Sequence, residues 1–318
     1  MLFRSVFTAK RNTVVITEDS LVSEIDIRNL YNLIRKTSLL ENTSLVDIIP
    51  NVFRVDNGET YETPPMQVPT QSLFIDAMVH TLPTNIVKHY EGIVEQAGIQ
   101  VRRYFVAPYV ANELIRTHKG SPESYILVDI GSHTTTVTAI GGGQVISSRY
   151  FSWGGHNITS KIATSFNINE EEAEKLKITY GLDKRDTAFP VTICVTDDGN
   201  GNESKHYATE LKEIVKNELN IFSNQLNAAI NNLMVDVDPK DVRNIPLILT
   251  GGGSALNGLV SYIQPKVPNE LVSVFVPNVI GARQAYFTNC LGAILANKKH
   301  QAVFDEEHPK IASLSRDE

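Results

Sequence analysis

The sequence predicts an α/β protein with a mixed sheet, and three observations lead to this prediction. The string ILVDIGSHTTTVTAIGGG at 126–143 has the pattern of a buried strand, a tight polar turn, a second strand and a glycine hairpin. A second buried strand, IPLILT, runs at 245–250 directly into GGGSALNG. A long helical pattern covers about 207–234. The 318 residues leave room for two domains of ordinary size.

The composition excludes several classes of protein. The formal net charge of -7 gives no basic surface of the kind that binds nucleic acid, so no nucleic-acid partner is predicted. No apolar run approaches the ~20 residues needed to cross a bilayer. The two cysteines, Cys194 and Cys290, lie in apolar runs, and we expect buried thiols in a reducing compartment rather than a disulfide.

The first hundred residues predict a small α+β arrangement. RNTVVITED is a strand, and Ser23 with Asp26 begins a helix as a weak capping box. SLVDIIPNVFRVDNGETYE predicts two short strands that break at Pro50 and turn at 56–58, and SLFIDAMVHTL predicts another strand. Asn85 is the expected cap of a second helix. Each helix has one apolar face, formed by Ile27, Leu30, Tyr31 and Ile34 in the first and by Ile86, Tyr90, Ile93 and Val94 in the second.

The rest of the chain alternates strands and helices. VRRYFVAP predicts a strand, and Pro108 begins a helix. After the hairpin, QVISSRYFSW predicts a third strand that passes through 154–155 into the helix HNITSKIATSF. Asn169 caps a helix with an acidic first turn. DDGNGNES predicts the turn of a surface hairpin, and LVSVFVP and YFTNCLGAILANKK predict a last strand and a last helix.

The polar turn at 129–135 has the residues of an anion site. Gly131 permits a sharp turn in which successive N–H groups form a nest for an anion. Thr134 and Thr135 add hydroxyls, and Asp129 can hold Mg²⁺ through water. The same string also fits an ordinary hairpin whose threonines favour a strand, and by itself it does not separate the two interpretations.

Two further motifs are compatible with a nucleoside. Glu174 and Lys177 share one helix face and could reach ribose hydroxyls, although an isolated pair of this kind is more often a solvated surface pair. The three glycines of LILTGGGSALNG let a flat ring approach the backbone, which makes this the most specific motif of the three. The glycines at 141–143 predict only a hairpin turn. Neither His133 nor His156 has a partner at metal-ligand spacing.

The order of these motifs resembles the second half of the actin and heat-shock-chaperone ATPase superfamily. Several strings resemble one branch, the bacterial cell division family FtsA: ILVDIGSHTTTVTAI its second phosphate motif, FSWGGHNITSKIA the segment that follows, and EEAEKLKITYG and LILTGGGSALNGL its ribose and adenosine segments. YFTNCLGAIL resembles its final connecting helix, and SLVDIIPNVFRVDNGE with PPMQV resembles its inserted subdomain, 1C. The resemblance covers about 12–297 and implies an actin-like (ribonuclease H-like) ATPase fold with a small 1C-like α+β subdomain.

The resemblance also implies a division of the chain and a ligand. It assigns 1–20 to a remnant of the first actin-like half, 21–100 to the 1C-like subdomain, 101–121 to a return to the first half, 122–297 to the second half with an insert at about 182–206, and 298–318 to a flexible tail. The implied ligand is ATP with Mg²⁺ in a cleft between the halves. The implied contacts are Asp129, Gly131, Ser132, Thr134 and Thr135 with phosphate and Mg²⁺, Glu174 and Lys177 with ribose, and Gly251, Gly252, Gly253 and Ser254 with adenine and ribose.

Three departures from the family pattern accompany the resemblance. No D-x-G-x-[ST] string precedes the 1C-like stretch, whose own turn contains DNGET at 56–60, so the first phosphate loop is missing near the N-terminus and we expect either a truncated chain or a degenerate member. The usual G-G-G-T-T-D is replaced by residues 131–136, GSHTTT, which puts the approach to a terminal phosphate in question. The tail IASLSRDE has too little apolar face to bind a membrane interface, so the family's amphipathic helix is not expected in it.

The function that the resemblance implies is a cytoplasmic scaffold of the division ring, peripheral on the membrane, that forms actin-like filaments. Its implied partners are the C-terminal tail of FtsZ, further copies of itself, other division proteins through the 1C-like subdomain, and the cytoplasmic membrane surface. ATP hydrolysis is expected to be slow or absent, and ATP binding weak. Two alternatives remain: a small-molecule kinase or phosphatase of the same superfamily, with Glu113 as the one candidate acid between 98 and 121, and a PilM-like pilus or secretion scaffold.

Overall fold

A four-stranded antiparallel sheet with the order β1-β4-β2-β3 organises the first of two units in the chain. The structure is a computed structural model that describes residues 6–39, 41–101, 104–182, 190–197, 203–235 and 239–304. The first unit contains the described residues before Ala107 and after Ile294. Its elements before Ala107 are β1 (Val6–Val14), α1 (Glu24–Arg35), β2 (Thr43–Val55), β3 (Thr60–Tyr61), β4 (Ser72–Pro83) and α2 (Thr84–Gln96).

Helix α1 has the predicted cap and the predicted buried face. The Asp26 carboxylate accepts hydrogen bonds from the backbone N–H of Ser23 at 2.9 Å and from its hydroxyl at 2.6 Å. The four apolar residues of its face are buried in the core of this unit, together with Phe53 and Leu73 from the sheet. Strand β1 pairs with β4 along its whole length, so residues 6–14 belong to the same sheet as β2 and β3.

Three sequence predictions in this region are wrong. Strand β2 continues through Pro50, with a shift in register between Pro50 and Val52; such irregularities accommodate a residue that lacks an N–H group. Asn85 lies inside α2, whose cap is Pro83, and the carbonyl of Asn42 accepts the N–H of Thr84 at 2.9 Å. The described part of VRRYFVAP forms no strand.

The apolar face that the sequence predicts for α2 is not covered. Ile86, Tyr90 and Ile93 are exposed, and no residue of α2 is buried.

The second unit, Ala107–Ile294, contains a five-stranded mixed sheet with the order β11-β10-β5-β6-β7. Its strands are β5 (Tyr125–Ile130), β6 (Thr135–Gly141), β7 (Gln144–Phe151), β10 (Leu247–Thr250) and β11 (Val272–Val274), and a separate hairpin is formed by β8 (Thr192–Asp197) and β9 (Glu203–Tyr207). Its helices are α3 (Ala107–Arg116), α4 (Gly155–Phe166), α5 (Glu170–Tyr180), α6 (Ala208–Leu233), α7 (Pro239–Asn244), α8 (Leu259–Ile263) and the start of α9 (Thr288–Phe304).

The core of the second unit lies between the sheet and α4, α6 and α8. Val128, Ile162, Leu219 and Phe222 are among its fully buried residues. The hairpin predicted at 126–143 and the long helix predicted at about 207–234 are both present. The tip of the β8–β9 hairpin, at 198–202, and the tail beyond 304 lie outside the described residues. The assignment of the two units to actin-like halves and to a 1C-like subdomain stays a prediction.

Helix α3 is fixed against the glycine hairpin at 141–143. The amide of Asn112, a buried residue, donates to the carbonyl of Gly143 at 2.9 Å and accepts the Tyr125 hydroxyl at 2.7 Å. Glu113 forms an ion pair with Arg116 at 3.5 Å within α3. Glycines 142 and 143 have positive φ, as a tight hairpin turn requires.

Candidate functional site

Parallel pairing of β5 with β10 brings two of the predicted motifs together. The register places Asp129 opposite Thr250 at the carboxyl ends of the two strands. The loops that follow, 131–134 and 251–255, therefore leave the same edge of the sheet side by side. In open α/β sheets this edge is where ligands usually bind.

The loop after β5 presents unpaired backbone donors. The N–H of Gly131 is bonded to the carbonyl of Thr134 at 2.9 Å, which closes the turn. The N–H groups of Ser132, His133 and Thr134 make no hydrogen bond to any residue that the structure describes, and all three side chains are exposed. Successive free amides in a tight turn form a nest for an anion.

The first turn of α4 is hydrogen-bonded to the backbone of this loop. The N–H groups of Gly155 and His156 donate to the carbonyls of Gly131 and Ser132, at 3.0 and 2.8 Å. These amides are therefore engaged by the loop. A Cβ on Gly154 would lie 2.3 Å from the Ser132 carbonyl oxygen, so only glycine permits this approach.

The two threonines predicted to face phosphate have different surroundings. Thr135 is fully buried, and its hydroxyl donates to the carbonyl of Trp153 at 2.8 Å. Thr134 is exposed at the tip of the loop. The Thr135 hydroxyl therefore fixes the base of the loop to the turn before α4, whereas the Thr134 hydroxyl is accessible.

Asp129 lies where the two loops meet. Burial raises the pKa of its carboxyl group, and a hydrogen bond from the Asn289 side chain opposes this effect. The bond joins the Asn289 amide nitrogen to Asp129 Oδ2 at 2.8 Å. A Cβ on Gly251 would lie 2.3 Å from Asp129 Oδ1, so the carboxylate sits directly against the backbone of the second loop.

Glu174 and Lys177 form a connection between helices rather than a solvated pair. Lys177 is buried, and its ammonium binds Glu174 Oε2 at 2.6 Å, the Thr159 hydroxyl at 2.8 Å and the Gly155 carbonyl at 3.1 Å. Thr159 also donates to Glu174. Burial acts to raise the pKa of Glu174, but the hydrogen bonds from Lys177 and Thr159 and the positive charge of Lys177 outweigh it and lower the pKa. The pair thus fixes α5 to the first turn of α4.

The three glycines after β10 differ in what surrounds them. Gly251 has φ +82° and ψ 169°, a conformation that is essentially confined to glycine. A Cβ on Gly253 would lie 2.3 Å from Ile130 Cγ2, whereas a Cβ on Gly252 would meet only Tyr286 Cβ, at 4.0 Å. The Ser254 hydroxyl is buried and donates to the Gly251 carbonyl at 2.7 Å. Gly252 therefore provides the open, exposed stretch of this loop.

Backbone contacts connect the third motif to the other two. The N–H of Leu182, just after α5, donates to the carbonyl of Asn257 at 3.0 Å, and Gly258 has positive φ where it packs on Leu182. At the other side, the Thr250 hydroxyl bonds to that of Thr288, at the start of α9, at 2.8 Å. All the predicted site residues thus belong to one connected assembly within the second unit.

Sequence reasoning missed three features of this assembly. Asn289 orients Asp129, Tyr286 lies beside Gly252 with an exposed ring, and His133 stacks on His156 with ring centroids 4.5 Å apart. Sequence spacing indicates none of these contacts, because each partner lies on a different element. Cys194 is half-buried and Cys290 is exposed; both thiols are free, and the prediction that both are buried is wrong.

The chemistry of the assembly suits the binding of an anionic, partly flat ligand. It offers unpaired amides, an open glycine and a carboxylate. Within the described ranges, no group of three or more His, Cys, Asp or Glu side chains is arranged to hold a metal ion directly. Asp129 is the carboxylate at the junction of the two loops. Of the helices that the structure describes, none has the length and hydropathy to cross a membrane.

Comparison with known proteins gives a family and a fold. The family model described as "Cell division protein FtsA" matches residues 126–292, a little over half of the chain. The chain is 26% identical over 287 residues to FtsA of Bacillus subtilis (strain 168), covering 88% of this chain and 62% of that protein. It is also 26% identical over 280 residues to FtsA of Enterococcus hirae, covering 86% and 60%. The chain thus spans about three-fifths of the length of these relatives.

Solved structures with the same fold include a PilM-PilN type IV pilus biogenesis complex, with a TM-score of 0.57, 18% identity and coverage of 93% of this chain and 76% of that one. MreB5 of Spiroplasma citri bound to AMPPNP matches with a TM-score of 0.55 and 16% identity, over 71% of this chain and 68% of that one. The predicted actin-like ATPase fold is therefore confirmed.

Proposed function

The chain belongs to the FtsA cell-division family, and from this premise we propose that it is an actin-like, nucleotide-binding scaffold of the division apparatus. The observation that carries the proposal is the junction of the two loops at Asp129, where a nest of free amides lies beside an open glycine. Family membership supports the proposed role in cell division, and the geometry of this junction supports the proposed ligand.

The proposed ligand is ATP with Mg²⁺. Amides 132–134 bind phosphate oxygens, the Asp129 carboxylate holds Mg²⁺ through water, and Gly252 lies against the base or the sugar. A carboxylate oxygen of Glu174 binds ribose hydroxyls, and Lys177 positions that carboxylate. Thr135 and Ser254, whose hydroxyls have internal partners, hold the loops in place. MreB5 of Spiroplasma citri has been solved bound to AMPPNP and, in a second structure, to ADP, which supports a nucleotide here.

Nucleotide acts as a switch for assembly in this proposal, and hydrolysis is slow or absent. The scaffold forms actin-like filaments, binds the C-terminal tail of FtsZ, and holds FtsZ at the cytoplasmic face of the membrane at the division site. Other division proteins bind its first unit, the proposed 1C-like subdomain.

The direct test of the FtsZ proposal is a binding assay between the full chain and a peptide with the sequence of the FtsZ tail. We expect saturable binding of this peptide and none of a scrambled peptide with the same composition. Equal binding of both peptides, or of neither, contradicts the tethering function.

A kinase or phosphatase of the same superfamily predicts turnover of a small substrate. Glu113, the candidate acid for such an activity, forms an ion pair with Arg116 within α3. A screen with sugars and polyphosphate separates this alternative from the scaffold, because the scaffold predicts no turnover above slow ATP hydrolysis. A PilM-like scaffold would bind pilus or secretion proteins, whereas a division scaffold would bind division proteins, so the partners that bind the chain separate these two alternatives.

A further inference from the structure

The stacked pair His133–His156 is the feature of the loop assembly that the proposed function leaves unused. The ring centroids are 4.5 Å apart and the ring planes differ by 29°. His133 is part of the loop whose amides are free, and His156 lies in the first turn of α4, which holds that loop. The pair therefore joins the anion nest to the element that supports it.

A bound polyphosphate needs positive charge, and in the proposed site Mg²⁺ provides part of it. The ammonium of Lys177, which contacts the first turn of α4, is already bound to Glu174, Thr159 and the Gly155 carbonyl. A polyphosphate carries several negative charges, which the dipoles of free amides neutralise only in part. Imidazole is the side chain that changes its charge between about pH 5 and 8, so the pair can become positively charged when an anion binds beside it.

The described carboxylates near the pair lie on the His156 side. Glu170, at the start of α5, has its carboxylate 3.7 Å from His156 Nε2. Glu174, also on α5, is close enough for the charge of His156 to lower its pKa. His133 makes no ion pair with any described residue. Two positive charges on stacked rings repel each other, and an anion bound beside His133 would offset this repulsion.

We propose that His133 is a phosphate-contacting residue and that the His133–His156 stack takes up a proton when a polyphosphate binds to the loop. This inference rests on the proposed nucleotide site and adds a residue and a linkage to it. The proton comes from solvent, adds to an imidazole nitrogen and makes that nitrogen a second donor to a phosphate oxygen. By linkage, the affinity for polyphosphate increases as the pH falls, by no more than about tenfold per pH unit for one proton.

The test is calorimetry with the full chain at pH 7, with Mg·ATP and separately with inorganic tripolyphosphate. Each titration is run in two buffers whose ionisation enthalpies differ, because this comparison gives the number of protons taken up. The variants are His133→Asn and His156→Asn, which keep a polar side chain that does not titrate in this range. His89→Asn is the matched control, since His89 is an exposed histidine of α2.

We expect the wild type and the His89→Asn variant to take up the same number of protons, between about 0.3 and 1 per site. We expect His133→Asn to take up fewer than half as many, with an affinity at pH 6 that is reduced about three- to tenfold. Protonation of the ligand itself is common to all variants and cancels in the comparison. Equal proton uptake in the wild type and His133→Asn overturns the proposal.

Nuclear magnetic resonance of the histidine rings in the wild-type chain gives a reading that depends on no variant. The titration midpoint of His133 is expected to increase on addition of tripolyphosphate, and an unchanged midpoint overturns the proposal. If tripolyphosphate binds with proton uptake but ATP does not bind, the proposed phosphate contact of His133 stands and the proposed nucleotide function is contradicted. If neither tripolyphosphate nor ATP binds, both proposals are overturned.

Discussion

The neighbouring glycines Gly251 and Gly252 provide the sharpest test of the loop geometry, because the same methyl group meets different surroundings at the two positions. In Gly251→Ala the new Cβ would lie 2.5 Å from the Ile130 carbonyl oxygen and 2.3 Å from Asp129 Oδ1. In Gly252→Ala it would meet only Tyr286 Cβ, at 4.0 Å.

Two costs add at Gly251. Its φ of +82° and ψ of 169° cost a residue with a Cβ roughly 1–3 kcal/mol. The contact with the Ile130 carbonyl is with backbone, which cannot rotate away, and such overpacking costs roughly 1–3 kcal/mol. We therefore expect Gly251→Ala to lower the free energy of unfolding by about 3 kcal/mol. Gly252→Ala should change it by less than about 0.5 kcal/mol.

The assay is thermal unfolding of the two variants followed by circular dichroism. For a unit of this size, a loss of about 3 kcal/mol lowers the Tm by roughly 6–12 °C. Gly253→Ala should lie between the two, because its Cβ would lie 2.3 Å from Ile130 Cγ2 but Gly253 is not among the glycines of positive φ. Equal Tm values for Gly251→Ala and Gly252→Ala would refute the close approach of the two loops.

Three further outcomes are expected. Lys177→Met removes a buried ammonium with three partners and should cost about 1–2 kcal/mol in urea unfolding, whereas Lys175→Met, at an exposed ion pair, should cost less than about 0.5 kcal/mol. Burial lowers the pKa of His80 from 6.5 to about 4, so below pH 6.5 the unfolded chain binds a proton that the folded chain does not. The free energy of unfolding should therefore fall by up to roughly 3 kcal/mol between pH 7 and 4, and His80→Leu should remove this part of the pH dependence. Asn289→Ala removes the donor to Asp129, so nucleotide affinity measured by fluorescence titration should change, while a variant with unchanged affinity would show that this contact does not orient the carboxylate.

Local sequence patterns predicted the elements around the site because each signal lies within one element. The capping box at Ser23 and the cap at Asn169 are set by contacts over three residues, and both are present. The 126–143 hairpin follows in the same way from alternating burial and glycine turns. The strand break predicted at Pro50 is wrong because a shift in the register between β2 and β4 accommodates this proline, and such a shift depends on the partner strand.

Long-range contacts within the site could not be predicted in this way. Asn289 and Asp129 are 160 positions apart in sequence, and their bond depends on where α9 begins relative to β5. The burial of Lys177 depends on the packing of α5 on α4, which a single helix face does not reveal. The His133–His156 stack depends on the packing of the β5–β6 loop against the first turn of α4.

Binding of Mg·ATP to the full chain, measured by equilibrium dialysis in the wild type and in Asp129→Ala, decides whether the two loops form a nucleotide site. We expect saturable binding at one site, of weak affinity, that Asp129→Ala greatly reduces while the fold is retained. Absence of saturable binding in the wild type, or equal binding in a folded Asp129→Ala variant, would contradict the claim that the two loops form a nucleotide site.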